Sequence, residues 1–240
     1  MHDLMGDLLM LQGRYGEAER SYATALEGGA SFGAVRSKAA GIRQRIGDYE
    51  GAERAYAEAL AALDSSEHAA RAGLLADRAM NAFRIGRPDA ADAFARAALD
   101  DASASKDERA IAQAHNVAGI LASHRGDHEA ARTHLEASLL GAEKLADPVA
   151  MAAALNNLAS ALRATDVDRA LEFAQRALEL CARVGDRHRE AAMHSNLADL
   201  LRAAGRTNEA ERHLRLSAAI FAEIGAPDEL HPEIWKLTEW

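Results

Sequence analysis

His124 and His128 lie four residues apart and His134 follows close behind, which on one continuous helix would put two imidazoles on a common face and suggest zinc. Gly126 falls between the first two, in a turn the local sequence predicts, so the shared face is lost. The three histidines read as surface and interhelix residues. Cys181, the single cysteine of the 240 residues, stands between Leu180 and Ala182 with no histidine nearby. It reads as a small packing or partly exposed side chain, since a nucleophilic thiol needs a neighbouring base or cation. The chain has no glycine-rich phosphate loop ending in lysine, no Gly-x-Ser-x-Gly, no paired-cysteine metal set and no His-Glu-x-x-His. The expectation is therefore no enzyme: no catalytic residue, no metal and no cofactor.

What does recur is structural. Six short turns, five of them opening on glycine, each precede an alanine: Gly13 before Ala18, Gly47 before Ala52, Gly86 before Ala91, Gly126 before Ala131, Thr165 before Ala170 and Gly205 before Ala210. These alanines are spaced 34, 39, 40, 39 and 40 residues apart. The following positions match in phase: Tyr22, Tyr56, Ala95, Leu135, Ala174 and Leu214, then Ala25, Ala59, Ala98, Ser138, Ala177 and Ser217. A fixed period of this size is the mark of a repeat array. Each copy divides into two amphipathic helices, as in Leu155, Leu158, Ala159, Leu162 before one turn and Ala170, Leu171, Ala174, Ala177, Leu178 after it. Glycine suits the connecting turn because it tolerates positive φ. Small residues at the matched positions let antiparallel helices approach closely. Asp107, Asp147 and Asp186 recur just ahead of first helices, where an aspartate can accept hydrogen bonds from free amides.

The Leu-Ala or Ala-Gly pair of the first helix (Leu158-Ala159, Leu197-Ala198, Ala118-Gly119), the glycine turn and the two small residues of the second helix together resemble the tetratricopeptide repeat family over nearly the whole chain. The later copies exceed the usual 34 residues and look like the longer repeats of bacterial signalling proteins and kinesin light chains. HEAT and armadillo repeats run about 40–47 residues but do not predict the glycine-to-alanine interval. The resemblance implies an all-α, right-handed superhelical solenoid of antiparallel helix pairs, with six repeats over 1–29, 30–65, 66–105, 106–145, 146–185 and 186–226. Residues 227–240, which contain Pro232, Trp235 and Trp240, are expected to form a capping helix over the last repeat. The short first helix reads as part of a domain excised from a longer protein.

In the family, first-helix side chains line a concave groove that binds a peptide or helix. Carried over, the inward stripe includes Ser37, Gly41, Gln44 and Arg45, then Asn116, Ile120, Ser123 and His124, then Asn156, Ser160 and Arg163, then Ser195, Asp199 and Arg202, with Asn157 and Asn196 beside it. Asparagine donates and accepts, which suits either a ligand backbone or bonding between neighbouring first helices. Arg45, Arg84, His124, Arg163 and Arg202 recur near first-helix ends and, with Lys38, form either a basic track for an acidic ligand or charges that offset helix dipoles.

Composition narrows the remaining classes. The 58 alanines against 18 valines, isoleucines and threonines exclude a β-sandwich or barrel. A formal charge of −9 argues against nonspecific nucleic-acid or anionic-membrane partners. One cysteine fits a reducing, cytoplasmic compartment. The resulting expectation is a scaffold or sensor module of a bacterial signalling or regulatory protein, binding a protein or peptide ligand. Self-association through an open N-terminal repeat is the alternative.

Overall fold

The computed structural model describes residues 2–11, 14–28 and 32–224, excepting the side chains of 3, 11, 32–34, 36 and 45. They form twelve helices: α1 (His2–Leu11), α2 (Tyr15–Glu27), α3 (Phe32–Arg45), α4 (Tyr49–Ala61), α5 (His68–Arg84), α6 (Pro88–Ser105), α7 (Glu108–His124), α8 (His128–Lys144), α9 (Pro148–Leu162), α10 (Val167–Val184), α11 (Arg187–Ala203) and α12 (Thr207–Glu223). No strand occurs among the described residues. Each odd-numbered helix packs most extensively on the helix that follows it. The odd-numbered helices also touch one another from α3 through α5, α7 and α9 to α11, making a continuous layer of first helices. The expected capping helix at 227–240 lies outside the described residues.

Aspartates start six of these helices. Asp107, Asp147 and Asp186 accept from the backbone amides of Ala110, Val149 and Ala150, and Arg189. The same device opens second helices, where Asp48, Asp127 and Asp166 accept from Gly51, Ala130 and Arg169. Each cap satisfies one or two of the amides that a helix start leaves unpaired. Between α7 and α8 the chain reverses at Gly126, whose φ of +77° is one that L side chains rarely adopt. The fifth repeat has Thr165 at that position and makes its reversal there without a positive φ.

The spacing of the core follows from the six matched alanines. Ala18, Ala52, Ala91, Ala131, Ala170 and Ala210 are each 0% exposed. Tyr22, Tyr56, Ala95, Leu135 and Ala174, one turn on, are buried as well, and Leu214 half-buried. The approach is close enough that a Cβ built on Gly119 of α7 would lie 2.6 Å from Leu135 Cγ of α8. The buried cluster around Leu155, Leu178 and Leu197 draws from α9, α10, α11 and α12, so its apolar surface is shared across a repeat boundary. No single helix pair encloses its own core, and stacking is what removes that surface from water.

Replacing Ala170 with arginine should therefore destabilise the central repeats strongly. Overpacking alone costs about 1–3 kcal/mol, and the buried, unpaired guanidinium adds to it. Thermal unfolding followed by circular dichroism checks this, and an unchanged melting temperature would contradict the assigned contact.

Candidate functional site

Within the layer of first helices, four asparagines make one chain of hydrogen bonds. Asn196 of α11 donates through Nδ2 to Asn156 Oδ1 of α9 at 2.9 Å. Asn156 Nδ2 donates to Asn157 Oδ1 at 3.4 Å, and Asn157 Nδ2 donates to Asn116 Oδ1 of α7 at 2.9 Å. Asn116, Asn156 and Asn157 are buried and Asn196 half-buried. The chain runs in one direction across three repeats, an arrangement in which each amide polarises the next. Of the two roles open to these residues, bonding between repeats is the one their geometry displays. Asn196 and Asn156 also reach the wall of a cleft between α9 and α11.

That cleft is lined by Asn156, Ala159, Ser160 and Arg163 from α9 and by Asn196, Asp199 and Leu200 from α11. Ser160 and Arg163 are exposed, and Arg163 has no ion-pair partner among the described residues. Arg202, also exposed, lies 3.6 Å from Asp199. The cleft thus offers a hydroxyl, two amides, a carboxylate and the Arg163 guanidinium over a small apolar floor, with Arg202 reaching it only through Asp199.

The rest of the expected stripe is less open. Gln44, Ile120 and Ser195 are buried rather than lining an open face, and Gln44 Oε1 accepts from Tyr56 Oη at 3.3 Å. A stripe taken at i, i+4, i+7 is wider than the strip left between two stacked neighbours, so adjacent helices cover part of it. Lys38 does not extend a free basic track: its Nζ lies 2.8 Å from Asp7 Oδ2 and 5.8 Å from the centre of the Tyr22 ring. Tyr22 Oη donates to the other Asp7 oxygen at 2.7 Å, so α1, α2 and α3 are tied together there. Arg84 is half-buried in the last turn of α5, and His124, in the last turn of α7, packs its ring 4.5 Å from that of Phe83. Burial lowers the His124 pKa. The Arg45 side chain lies outside the described residues. The basic positions therefore do not form one track; Arg163 and Arg202 are the pair brought to a common cleft region.

Cys181 is buried, and burial pushes its thiol up to about 12, leaving it protonated and unreactive at neutral pH. Among the described residues no group of three or more histidine, cysteine, aspartate or glutamate side chains is placed to hold a metal ion, and no helix is long and apolar enough to cross a membrane. Two features were passed over by sequence reasoning. His115 and His134, and likewise His194 and His213, meet through their Nδ1 atoms at 2.9 Å. The signal was present: each pair spans 19 residues, and the second repeats the first 79 residues later. The other is the edge-to-face meeting of Tyr15 in α2 with His188 of α11, ring centres 6.1 Å apart, which brings the first repeat against the sixth.

Truncating Asn157 to alanine should destabilise the array by about 1–3 kcal/mol, because it takes the Asn157 amide donor from Asn116 Oδ1 in a buried site and interrupts the chain. Denaturant unfolding of the variant against the parent measures it. A loss near zero would mean that the amide chain adds nothing to repeat stacking.

Residues 150–223 match the tetratricopeptide repeat family. No curated protein sequence matches the chain. Among solved structures, BtubC (BKLC) from P. vanneervenii is 25% identical, with 92% of each chain covered and a TM-score of 0.61. A Rap protein complexed with Competence and Sporulation Factor superposes with a TM-score of 0.69 at 18% identity, covering 88% of this chain and 59% of that one. The signal transduction ATPase PH0952 from Pyrococcus horikoshii, which carries a tetratricopeptide repeat sensor, gives 0.66 at 15% identity over 94% of this chain and 36% of the other. These last two likenesses concern the fold alone. Residues 150–223 thus carry the tetratricopeptide repeat, and the six stacked helix pairs in phase with the repeated alanines give the chain as a whole a tetratricopeptide-repeat-like solenoid fold.

Proposed function

We propose that the array is a non-enzymatic receiver for a protein or peptide segment, bound along the layer of first helices with its anchor in the α9–α11 cleft. The observation that carries this reading is the convergence of exposed Arg163 with Ser160, Asn196 and Asp199 at one concavity between adjacent repeats. An acidic segment is the preferred ligand. Arg163 is unopposed by any ion-pair partner among the described residues, and Arg202 meets Asp199 only loosely at 3.6 Å. The Rap likeness, to a protein complexed with Competence and Sporulation Factor, and the likeness to a repeat sensor support a scaffold or sensor role in a cytoplasmic bacterial signalling or regulatory protein.

A second reading rests on a different face. Leu4, Met5 and Leu8 of α1 are 72%, 49% and 49% exposed and lie together along one side of the helix. Large apolar side chains so grouped favour association with another surface, and a second copy of this chain is the simplest occupant.

Two measurements separate these readings. Changing Arg163 and Arg202 together to glutamate should weaken binding of a labelled oligoglutamate peptide about tenfold while leaving helicity intact. Each exposed charge contact contributes about 0.2–1 kcal/mol, and reversal replaces attraction with repulsion. Added salt should weaken parental binding in the same direction. Equal affinity for both proteins at low and high salt would remove the acidic-ligand reading. Separately, mass measured across a dilution series should show concentration-dependent dimers that Leu4→Glu with Leu8→Glu abolishes, if α1 is the self-association face; a monomer at every concentration would exclude it.

A further inference from the structure

The two histidine pairs occupy the same place in alternate repeats. His115 and His194 stand three residues before the Ala118-Gly119 and Leu197-Ala198 pairs of α7 and α11, and His134 and His213 stand three residues after Ala131 and Ala210 of α8 and α12. In the third and fifth repeats these positions hold Leu75 with Phe94 and Leu155 with Phe173, which pack in the apolar clusters. An apolar pair therefore fills the position in a folded repeat, and helix packing there does not require imidazole.

The geometry of each pair admits a limited number of protons. The Nδ1 atoms are 2.9 Å apart and the ring centres 5.1 Å apart in both. When both rings are neutral, one Nδ1–H donates and the facing Nδ1 accepts. One added proton can enter at the outer Nε2 of the donor ring and leave that bond in place. A second must go to the accepting Nδ1, which sets two N–H groups against each other and two positive charges about 5 Å apart.

The surroundings compensate such a charge only in part. Beside His134 lie Asp92 and Arg96 of α6 and Arg125 and Asp127 of the turn, where Arg125 is already bonded to Asp92 and Asp127 caps α8. Around His194 and His213 lie Arg187 and Glu190 of α11 and Glu209 and Arg212 of α12. Glu190 is held by Arg187 at 2.6 Å and Glu209 by Arg206 at 2.7 Å, while Arg187 also engages Glu223. Of these carboxylates, all but Asp127 are matched by an arginine, and Asp127 is committed to its backbone amide.

We propose that His115–His134 and His194–His213 are proton-sensitive joints, which hold α7 to α8 and α11 to α12 while at least one ring of each pair is neutral and force those helices apart when both rings are charged. Burial lowers the pKa of all four imidazoles, and in each pair the facing ring lowers it further for His115 and His194. The unfolded chain therefore takes up these protons first, near the ordinary histidine value of about 6.5. The contribution to stability is fully present above that pH and is lost as pH falls from there through the lower folded values. The second joint lies on α11, two residues before Asn196, so it sits behind one wall of the cleft; its operation does not depend on what the cleft binds.

Thermal melts from pH 8 to pH 5 test this on the whole chain, comparing the parent with His115→Leu/His134→Phe, with His194→Leu/His213→Phe and with all four changes, each borrowed from the sibling repeats. The parent melting temperature should fall by a few degrees more on acidification than that of the fourfold variant, with each double variant in between. The imidazole resonances of the parent, which need no variant to fold, should titrate in two separate steps per pair, below the ordinary histidine range. An equal fall in all four proteins, or four histidines titrating singly at about 6.5, would overturn the proposal.

Discussion

The contact between the two helices of each repeat depends on side chains that take up almost no room. Ala18, Ala52, Ala91, Ala131, Ala170 and Ala210 have no exposed surface, and around them the helices come close enough that Gly119 has no space for a methyl group against Leu135. Small contacts of this kind bury little apolar area per residue, so one helix pair cannot retain its fold alone. Stability comes from repetition: the cluster around Leu155 and Leu197 is completed only where one repeat lies on the next.

Stacking then places polar groups where they must find partners. The layer of first helices is narrow, and the asparagines entering it are buried between neighbours. They satisfy one another in a directed chain from Asn196 to Asn116, which fixes the relative register of three repeats. The same requirement governs charges. Lys38 is answered by Asp7 and Tyr22, whereas Arg163, at the mouth of the α9–α11 cleft, stays exposed. Buried amides thus hold the array along the same helices whose ends leave charged groups exposed.

The histidines show how a repeat architecture accommodates variation. A position filled by Leu75 and Phe94, or by Leu155 and Phe173, takes an imidazole pair in the fourth and sixth repeats without change of fold. Two rings that share a hydrogen bond occupy similar space to an apolar pair, yet they add a dependence on protons that hydrocarbon lacks.

The repeat itself was legible in the residues, because period and phase are properties of the linear chain. Ala131 and Ala170 could be placed in helix contacts from spacing alone, and Asp107, Asp147 and Asp186 could be read as caps because capping is decided within four residues. The candidate site was legible only as a set of helix faces. Spacing put Asn116, Ile120 and Arg163 on inward stripes, but the width left open between neighbouring first helices depends on how closely repeats stack. Tertiary packing buried Asn116 and Ile120, matched Lys38 with Asp7 and left Arg163 exposed. It also brought His115 to His134 across a turn, a meeting that needs the angle and distance between two helices. Local propensity and period act along the chain, whereas burial and pairing of a side chain depend on neighbours that only the folded array brings near.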